Sequence, residues 1–173
     1  MAQEHVFIRP ANGNDAAQLA LLAAQTFHKT YADFNTSADM DFYLSTHFTP
    51  EAIAKDLETP DVNYYLLFAG TQLAGYIKLQ VADTPYIEAN TGLEVSRFYV
   101  DQAHQGAGYG RMLMNQAEVN ARMLNKQVIW LSVWKRNPRS VNIYTSLGYT
   151  IVGETIFQLG SDAQEDYIMI KRL

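Results

Sequence analysis

The sequence predicts a single domain of mixed α/β class, on the strength of three observations. The chain has 173 residues, 48% of them hydrophobic and 12% aromatic, which suffices for one full core but not comfortably for two. Segments with strand-like alternation are interspersed with segments whose apolar residues recur at helical spacing. A glycine-rich turn past mid-chain joins one such strand to one such helix. No internal repeat or linker interrupts the pattern, so one domain is expected over residues 1–173.

The N-terminal part of the chain is predicted to form one strand and three helices. Residues 5–10 form a short strand that ends at a proline, and Asn14 or Asp15 can cap the first helix. Residues 38–46 are predicted to form a short second helix. A Thr-Pro-Glu run then supplies the N-cap and first-turn proline of a third helix, which ends near Glu58.

The middle of the chain is predicted to form three strands and a long helix. Residues 62–82 have the pattern of a β-hairpin with its turn at or near Gly70 and Thr71. A loop leads to a fourth strand over residues 93–100. The glycine-rich turn follows this strand, and a helix is predicted over residues 108–124.

The C-terminal part is predicted to add three strands and one more helix. Residues 127–134 form a fifth strand that is rich in β-branched and aromatic side chains. A helix over residues 138–146 ends at Gly148, a residue typical of the position after a helix. Residues 149–154 and 166–173 are predicted to be the last two strands.

The composition excludes several classes of function. Without cysteine, the chain has no disulfide, no thiolate metal site and no cysteine nucleophile. The net charge of −5, from 13 Lys and Arg against 18 Asp and Glu, disfavours nucleic acid as the main partner. The N-terminus lacks a signal-peptide pattern, and no apolar run approaches the roughly 20 residues that span a bilayer. We therefore expect a cytoplasmic protein with no membrane partner.

The turn QGAGYG at residues 105–110 carries the main functional signal. Its amide groups can converge on an anion at the positive end of the following helix, and glycine lets the backbone approach a ligand closely. A P-loop would need Lys and then Ser or Thr after its last glycine, where this chain has Arg111 and Met112. A dinucleotide-binding fold would need the pattern after an early strand. An ordinary tight turn is the structural alternative.

Two signatures together resemble the GCN5-related N-acetyltransferase (GNAT) superfamily. The spacing of Gln105, Gly108 and Gly110 is similar to the loop that holds the diphosphate of acetyl coenzyme A. One predicted helix and one strand later, a second group resembles the superfamily's other signature: Asn137, Ser140, Tyr144, Gly148 and Tyr149. The helical segment over residues 26–57, together with the strand sequences, is similar to bacterial PaiA-type polyamine acetyltransferases.

The resemblance implies a fold and a cosubstrate. The fold is α/β (α+β), with a mixed, mostly antiparallel sheet of about seven strands that splays between strands 4 and 5, flanked by four to five helices. Acetyl-CoA is the implied cosubstrate, with no metal, and its pantetheine arm inserts at a bulge near residues 98–100, where a freed amide can polarise the thioester carbonyl. The implied cofactor-binding residues are Phe98, Tyr99, Val100, Gln105, Gly106, Ala107, Gly108, Tyr109, Gly110, Arg111, Asn137, Ser140 and Tyr144.

The resemblance also implies two catalytic residues. Tyr144 occupies the position of the general acid that protonates the leaving thiolate, although a helix aromatic that packs on the sheet is the alternative. Glu94 lies at the spacing before Gln105 where histone-type relatives place their glutamate base, although a solvent-facing glutamate would look the same. Alternation places Glu94, Ser96 and Phe98 on one face of the fourth strand. Asn137 can bind the pantetheine arm, cap its helix, or do both.

The acceptor is expected to be a small cationic amine, with spermidine or spermine first. Seven acids and only one base, Lys55, lie in residues 31–62, and such a lining would attract a polyamine. Solvated helix faces would explain the same acids, which are Asp33, Asp39, Asp41, Glu51, Asp56, Glu58 and Asp61. A protein N-terminus or a lysine is the alternative acceptor, and a CoA-binding regulatory module without turnover is the alternative of another class. A monomer and a homodimer are both compatible with the sequence.

Overall fold

In the computed structural model, which describes residues 5–173, seven strands form one sheet in the order β1-β2-β3-β4-β5-β7-β6. The strands are β1 Val6–Pro10, β2 Val62–Ala69, β3 Gln72–Gln80, β4 Gly92–Val100, β5 Val128–Trp134, β6 Thr150–Leu159 and β7 Asp162–Arg172. The α-helices found in these residues are α1 Ala16–Tyr31, α2 Ser37–His47, α3 Pro50–Leu57, α4 Tyr109–Met123 and α5 Pro138–Ser146. Neighbouring strands are antiparallel except β4 and β5, which are parallel. The predicted fold class is confirmed.

The entry to α1 agrees only in part with the predicted cap. Asn12 caps a short 3₁₀ turn before the helix: its side chain accepts from the amide of Asn14 at 3.0 Å. Asp15 instead accepts a bidentate pair of hydrogen bonds from Arg9, at 2.7 and 2.8 Å. Asp15 occupies the N-cap position of α1, as predicted, but its side chain makes no capping hydrogen bond to that helix; its Oδ2 also accepts from the amide of Asn12 at 2.8 Å. Asn14 lies inside the 3₁₀ turn that precedes the helix, so its prediction as the cap was wrong.

Helices α2 and α3 agree with their predicted bounds to within about a residue. Each begins after a threonine, Thr36 or Thr49, whose hydroxyl accepts from an amide in the first turn. With α1 they cover one face of the sheet around a core that includes Leu19, Ile53 and Tyr76. Helices α4 and α5 pack on the opposite face over a second core. None of the helices in residues 5–173 has the length and apolarity required to traverse a bilayer.

The β6–β7 hairpin is longer than predicted. Its strands continue through residues 155–165, which the sequence analysis had left outside both strands, and they turn at Gly160, whose φ is +58°. Asp39 of α2 accepts hydrogen bonds from the amide and hydroxyl of Ser161 at 2.8 and 2.9 Å. The extension was missed because residue type and burial do not alternate together there: β6 carries exposed apolar side chains such as Ile156, and the first residues of β7 are mostly polar and exposed.

The central strands part after a very short ladder. β4 pairs with β5 only over Gly92–Glu94, so the β5-facing side of β4 has no strand partner from Val95 onward. On its other side β4 stays paired with β3 up to Val100, and its register shift leaves Ser96 unpaired. The bulge therefore lies at Ser96. The resemblance had implied a bulge near residues 98–100, and that expectation was wrong.

The bulge at Ser96 changes which side chains share a face. Before it, Leu93 and Val95 pack into the core under α4, and Glu94 points to the other face. After it, Phe98 packs on the α4 side and Tyr99 on the α1 side. The expectation that Glu94, Ser96 and Phe98 share one face was wrong, because one unpaired residue reverses the alternation.

Candidate active site

A cleft of about 750 Å³ opens where β4 and β5 part. One wall is the second half of β4 with the turn at residues 105–110 and the start of α4. The opposite wall is the end of β5 with α5. The C-terminal half of α1 and parts of β6 and β7 border the cleft on the other face of the sheet. The parted strands therefore give access to both faces at one point.

The glycine-rich turn has the geometry of an anion-binding loop. Gly106 and Gly108 have φ of +85° and +84°, in the left-handed region, and Gly108 is the N-cap of α4. A Cβ at either position would meet nothing within 4 Å, so the space in front of the turn is open to a ligand. At Gly110 a Cβ would lie 3.1 Å from the ring of Phe98, so this glycine fits the helix to the strand. The residues present fit the diphosphate of acetyl-CoA.

Substitution of Gly108 by alanine is expected to weaken CoA binding about tenfold. A residue with a Cβ pays roughly 1–2 kcal/mol in the left-handed conformation, and the free loop can relax away from the binding geometry. Calorimetric titration with CoA measures the change. Gly13→Ala is the matched control, because Gly13 has open space and an ordinary φ. Equal affinity of G108A and wild type would show that this conformation is not needed for binding.

The mouth of the cleft near the turn is basic. Arg111 and Arg139 both line it. Arg139 donates to Oε1 of Gln105 at 3.1 Å, and Nε2 of Gln105 donates to the carbonyl of Val100 at 3.2 Å. Gln105 thus connects the loop to β4 and positions the Arg139 guanidinium. This positive end suits the phosphates of a nucleotide carrier.

The structure places most of the predicted cofactor residues on this one cleft. Twelve of the thirteen line it, and Ala107 does not. Asn137 caps α5, its Oδ1 accepting from the amide of Ser140 at 3.1 Å. The capping alternative is therefore present, and the side chain also lines the cleft.

Tyr144 projects from α5 into the interior of the cleft. It is 9% exposed, with its ring 6.1 Å from that of Phe98 and 6.0 Å from that of Tyr149. Burial, together with the nearby Tyr31, raises the pKa of Tyr144 well above its ordinary value. The phenol therefore stays protonated at every pH of interest and can donate a hydrogen bond into the cleft.

Glu94 lies outside the lining of the cleft, although Val95 and Ser96 beside it contribute to it. Burial raises the pKa of Glu94, and the nearby Lys78 ammonium partly opposes that rise. Lys78 itself is 8% exposed and donates to Asp56 at 2.6 Å. Glu94 therefore lies near the buried ammonium of Lys78, which already forms an ion pair with Asp56.

None of the seven acids between Tyr31 and Val62 lines the cleft in the part of the chain that the structure describes. Asp56 binds Lys78 and also accepts from the hydroxyl of Tyr64 at 2.7 Å. Asp39 fastens α2 to the β6–β7 turn. The acidic segment therefore contributes ion pairs and helix contacts, and the expected acidic lining of the cleft does not come from it.

The carboxylate that does line the cleft is Asp166, which sequence reasoning missed. It lies on β7 opposite Trp134 of β5 and is 6% exposed. Burial raises the pKa of Asp166 to about 6, against a smaller opposing effect of the Ser132 hydroxyl. Its Oδ1 is buried without a hydrogen-bond partner. The signal in the sequence was an acid in phase with Ile168 and Ile170, on a buried strand face.

Aromatic side chains surround the acceptor end of the cleft. Tyr31, Tyr43, Trp134 and Phe157 line it, with ring centroids 5.9 Å apart for Tyr31–Trp134 and 5.7 Å for Tyr43–Phe157. Phe34 lies outside the lining and packs edge-on against Trp134 at 4.9 Å. The four lining residues therefore form two ring pairs that both border the cleft.

The arrangement defines a class of enzyme. An anion-binding loop with two arginines lies at one end, unpaired strand backbone and a phenol donor lie in the middle, and a buried carboxylate among aromatic rings lies at the other end. Such a site can move a group from an anionic carrier to a cationic acceptor by direct attack. No cluster of three or more potential metal ligands occurs among the described residues.

Comparisons with known proteins agree with this chemistry. The model of the acetyltransferase (GNAT) family matches residues 25–149. An uncharacterised N-acetyltransferase from the pepI 3′ region of Lactobacillus delbrueckii subsp. lactis is 33% identical over 160 residues, 92% of each chain. The N-alpha-acetyltransferase RimI of Mycobacterium tuberculosis is 30% identical over 128 residues, 72% of this chain and 77% of that protein.

A solved structure adds the fold. The PaiA N-acetyltransferase of Thermoplasma acidophilum, in complex with coenzyme A, superimposes with a TM-score of 0.80 at 20% identity, covering 98% of this chain and 99% of that one. The chain belongs to the GNAT acetyltransferase family. It is an acyltransferase that uses acetyl-CoA to acetylate an amine.

Proposed function

We propose that the acceptor is a small polycationic primary amine, spermidine or spermine first, and that Tyr144 is the general acid. The observation that carries the proposal is the buried carboxylate of Asp166 at the aromatic end of the cleft, one oxygen of which has no hydrogen-bond partner. An ammonium group satisfies both a buried anion and aromatic faces. The likeness to a PaiA N-acetyltransferase supports the same acceptor class.

In this mechanism the loop and the parted strand position the reactants. Acetyl-CoA supplies an activated acetyl thioester. Backbone amides of residues 106–111 bind the diphosphate, and an amide of β4 that has no partner in β5 donates to the thioester oxygen as negative charge develops there, a contribution of about 3 kcal/mol. The amine attacks the carbonyl carbon, and Tyr144 gives its proton to the departing sulfur.

The shape of the acceptor end supports a small substrate over a protein N-terminus. The segment after α1 is fastened across the C-terminal strands: Gln164 donates to Oδ1 of Asn35 at 3.0 Å, and Asp39 binds Ser161. Phe34 packs on Trp134 beside these contacts. This closure restricts the extended groove that a peptide would need. The likeness to RimI keeps peptide N-termini in the assay as the second candidate class.

The experiment is release of free thiol from acetyl-CoA by the purified protein, across spermidine, spermine, putrescine, lysine, aminoglycosides and short peptides. We expect saturable turnover with spermidine or spermine and far weaker turnover with peptides. Turnover with peptides alone would replace the polyamine by a protein N-terminus or lysine. If no acceptor supports turnover while calorimetry still detects CoA binding, the protein is a CoA-sensing module and the proposal fails.

A further inference from the structure

We propose that Asp166 receives the acceptor amine: its carboxylate binds the substrate ammonium and takes the proton that the amine must lose before it attacks. The inference rests on the proposed function, because it presumes an amine acceptor. It gives the role of base to a residue on β7, a strand to which neither superfamily signature extends. It also takes that role away from Glu94.

The Asp166 carboxylate is buried and lacks one hydrogen-bond donor. It is 94% removed from solvent, lines the cleft, and has one oxygen without any hydrogen-bond partner. Such an oxygen loses its hydration on folding and gains nothing in return, so it destabilises the protein. A substrate ammonium that enters the cleft would supply the missing donor.

The cleft around this carboxylate is lined by aromatic rings. Trp134 pairs with Asp166 across the β5–β7 ladder, and Tyr31, Tyr43 and Phe157 also line the cleft. Lys29 and Arg97 line it as well, and the Arg97 guanidinium is engaged with Asp56 at 3.8 Å and with the ring of Phe48 at 4.5 Å. Ring faces attract cations and accommodate methylene groups, so the aromatic walls suit an alkylammonium. The compartment therefore selects both the charge and the apolar chain of the acceptor.

The phenol of Tyr31 links the Asp166 carboxylate electrostatically to Tyr144. The Asp166 charge helps raise the pKa of Tyr31 to about 12, after the larger effect of burial. Tyr31 in turn raises the pKa of Tyr144. Tyr31 thus lies within electrostatic reach of both the carboxylate and the general acid. An amine bound at Asp166 would approach from the α1 face, where the parted strands open towards Tyr144 on the α5 face.

Glu94 is less suited to the same task. Its carboxylate lies beside Lys78, outside the cleft lining, on the far side of the Ser96 bulge from Tyr99. A base that already neighbours a buried ammonium has less attraction for a second one.

The proton transfers balance. Asp166 accepts one proton from the substrate ammonium, and the neutral nitrogen attacks the thioester carbonyl to form the C–N bond. The C–S bond breaks as Tyr144 gives its proton to sulfur, and Tyr144 recovers a proton from the acetylated nitrogen. The products are the amide and CoA thiol, and Asp166 finally releases its proton to solvent.

The proposal predicts a pH dependence with a definite sign. Because burial raises the pKa of Asp166 to about 6, the carboxylate is mostly ionised at pH 7 and becomes protonated as the pH falls through about 6. The titratable groups that line the cleft from the other elements include Lys29 and Tyr31 of α1, Tyr43 of α2 and Arg97 of β4. Burial raises the pKa of both phenols, so they stay neutral in this range, and the pKa of Arg97 is also raised, so it stays charged. β5 presents Ser132 and Trp134, and β6 presents Phe157. We therefore expect kcat/KM for the amine to fall below about pH 6.

The experiment compares three single substitutions. We expect Asp166→Asn to lower kcat/KM for spermidine at least 100-fold, to remove the pH dependence below pH 7 and to leave the Kd for CoA within twofold. Glu165→Gln is the matched control, since it removes the neighbouring charge on the exposed face of β7, and it should stay within twofold of wild type. Glu94→Gln should lose less than tenfold. Hydroxylamine, which is mostly unprotonated at neutral pH, should restore part of the activity of D166N once the rate of its direct attack on acetyl-CoA without enzyme is subtracted.

Three results would overturn the inference, and a fourth would count against the proposed function instead. Full activity of D166N, or a loss matched by E165Q, removes Asp166 from the reaction. A greater loss in E94Q than in D166N returns the base to Glu94. If the wild-type enzyme acetylates no amine in the panel, the proposed function fails first, which the wild-type arm detects separately.

Discussion

Replacement of Tyr144 by phenylalanine is expected to lower turnover of acetyl-CoA by 10²- to 10⁴-fold while the Kd for CoA changes little. The substitution removes only the hydroxyl, and the ring keeps its contacts with Phe98 and Tyr149. The departing thiolate then has no protein donor at this position. Steady-state kinetics at saturating acetyl-CoA, together with calorimetric CoA titration, measures the two quantities.

Tyr149→Phe is the matched control for that experiment. Tyr149 packs against Tyr144 in the same core, but its hydroxyl is buried without a partner and it does not line the cleft. Its removal should leave turnover within about twofold and keep or raise stability, because an unsatisfied buried group is lost. Equal turnover of wild type and Y144F would take the phenol out of the mechanism and leave the packing interpretation.

The second large effect concerns stability, at the buried ion pair between α3 and β3. Asp56→Ala is expected to lower the free energy of unfolding by about 3 kcal/mol, because it leaves Lys78 charged and unpaired in the interior. Lys78 is 8% exposed and loses its 2.6 Å hydrogen bond, and Tyr64 loses its acceptor. For a chain of this size the melting temperature should fall by roughly 6–12 °C.

Glu58→Ala separates this effect from a simple change of charge. Glu58 is an exposed acid at the end of the same helix, so its loss should move the melting temperature by no more than about 2 °C. Thermal unfolding followed by circular dichroism compares both variants with wild type. Similar melting temperatures for D56A and E58A would mean that the Asp56–Lys78 pair adds nothing beyond a surface charge.

Much of the geometry at the glycine-rich end of the cleft could be predicted because its signals are local. The turn needs a left-handed backbone and open space at positions 106 and 108, and glycine is the residue that adopts this conformation at the lowest energetic cost. The glycines themselves therefore indicate the geometry. Asn137 caps a helix within three residues of its own position. The class of fold followed from periodicity, and the structure confirms it, with the largest difference in the β6–β7 hairpin, whose strands extend beyond their predicted ends.

The acceptor end could not be predicted because it depends on long-range placement. Asp166 belongs to no local motif, and it is the pairing of β7 with β5 that places it opposite Trp134. The acids of residues 31–62 were predicted to line the cleft from their charge alone. Asp56 instead forms an ion pair with the buried Lys78, which lies 22 residues further along the chain. At Ser96, a single bulged residue reversed the expected alternation, and no local sequence signal announced it.

Because the β4–β5 ladder has only three residue pairs, a cosubstrate bound between these strands should also stabilise the sheet. Two half-sheets meet over that ladder alone, so a molecule that fills the gap between them also holds them together. Ligand bound only to the folded chain adds about 2.7 kcal/mol of stability at a hundredfold excess over its Kd. Bound acetyl-CoA should therefore raise the melting temperature of the protein, which thermal unfolding with and without the cosubstrate measures.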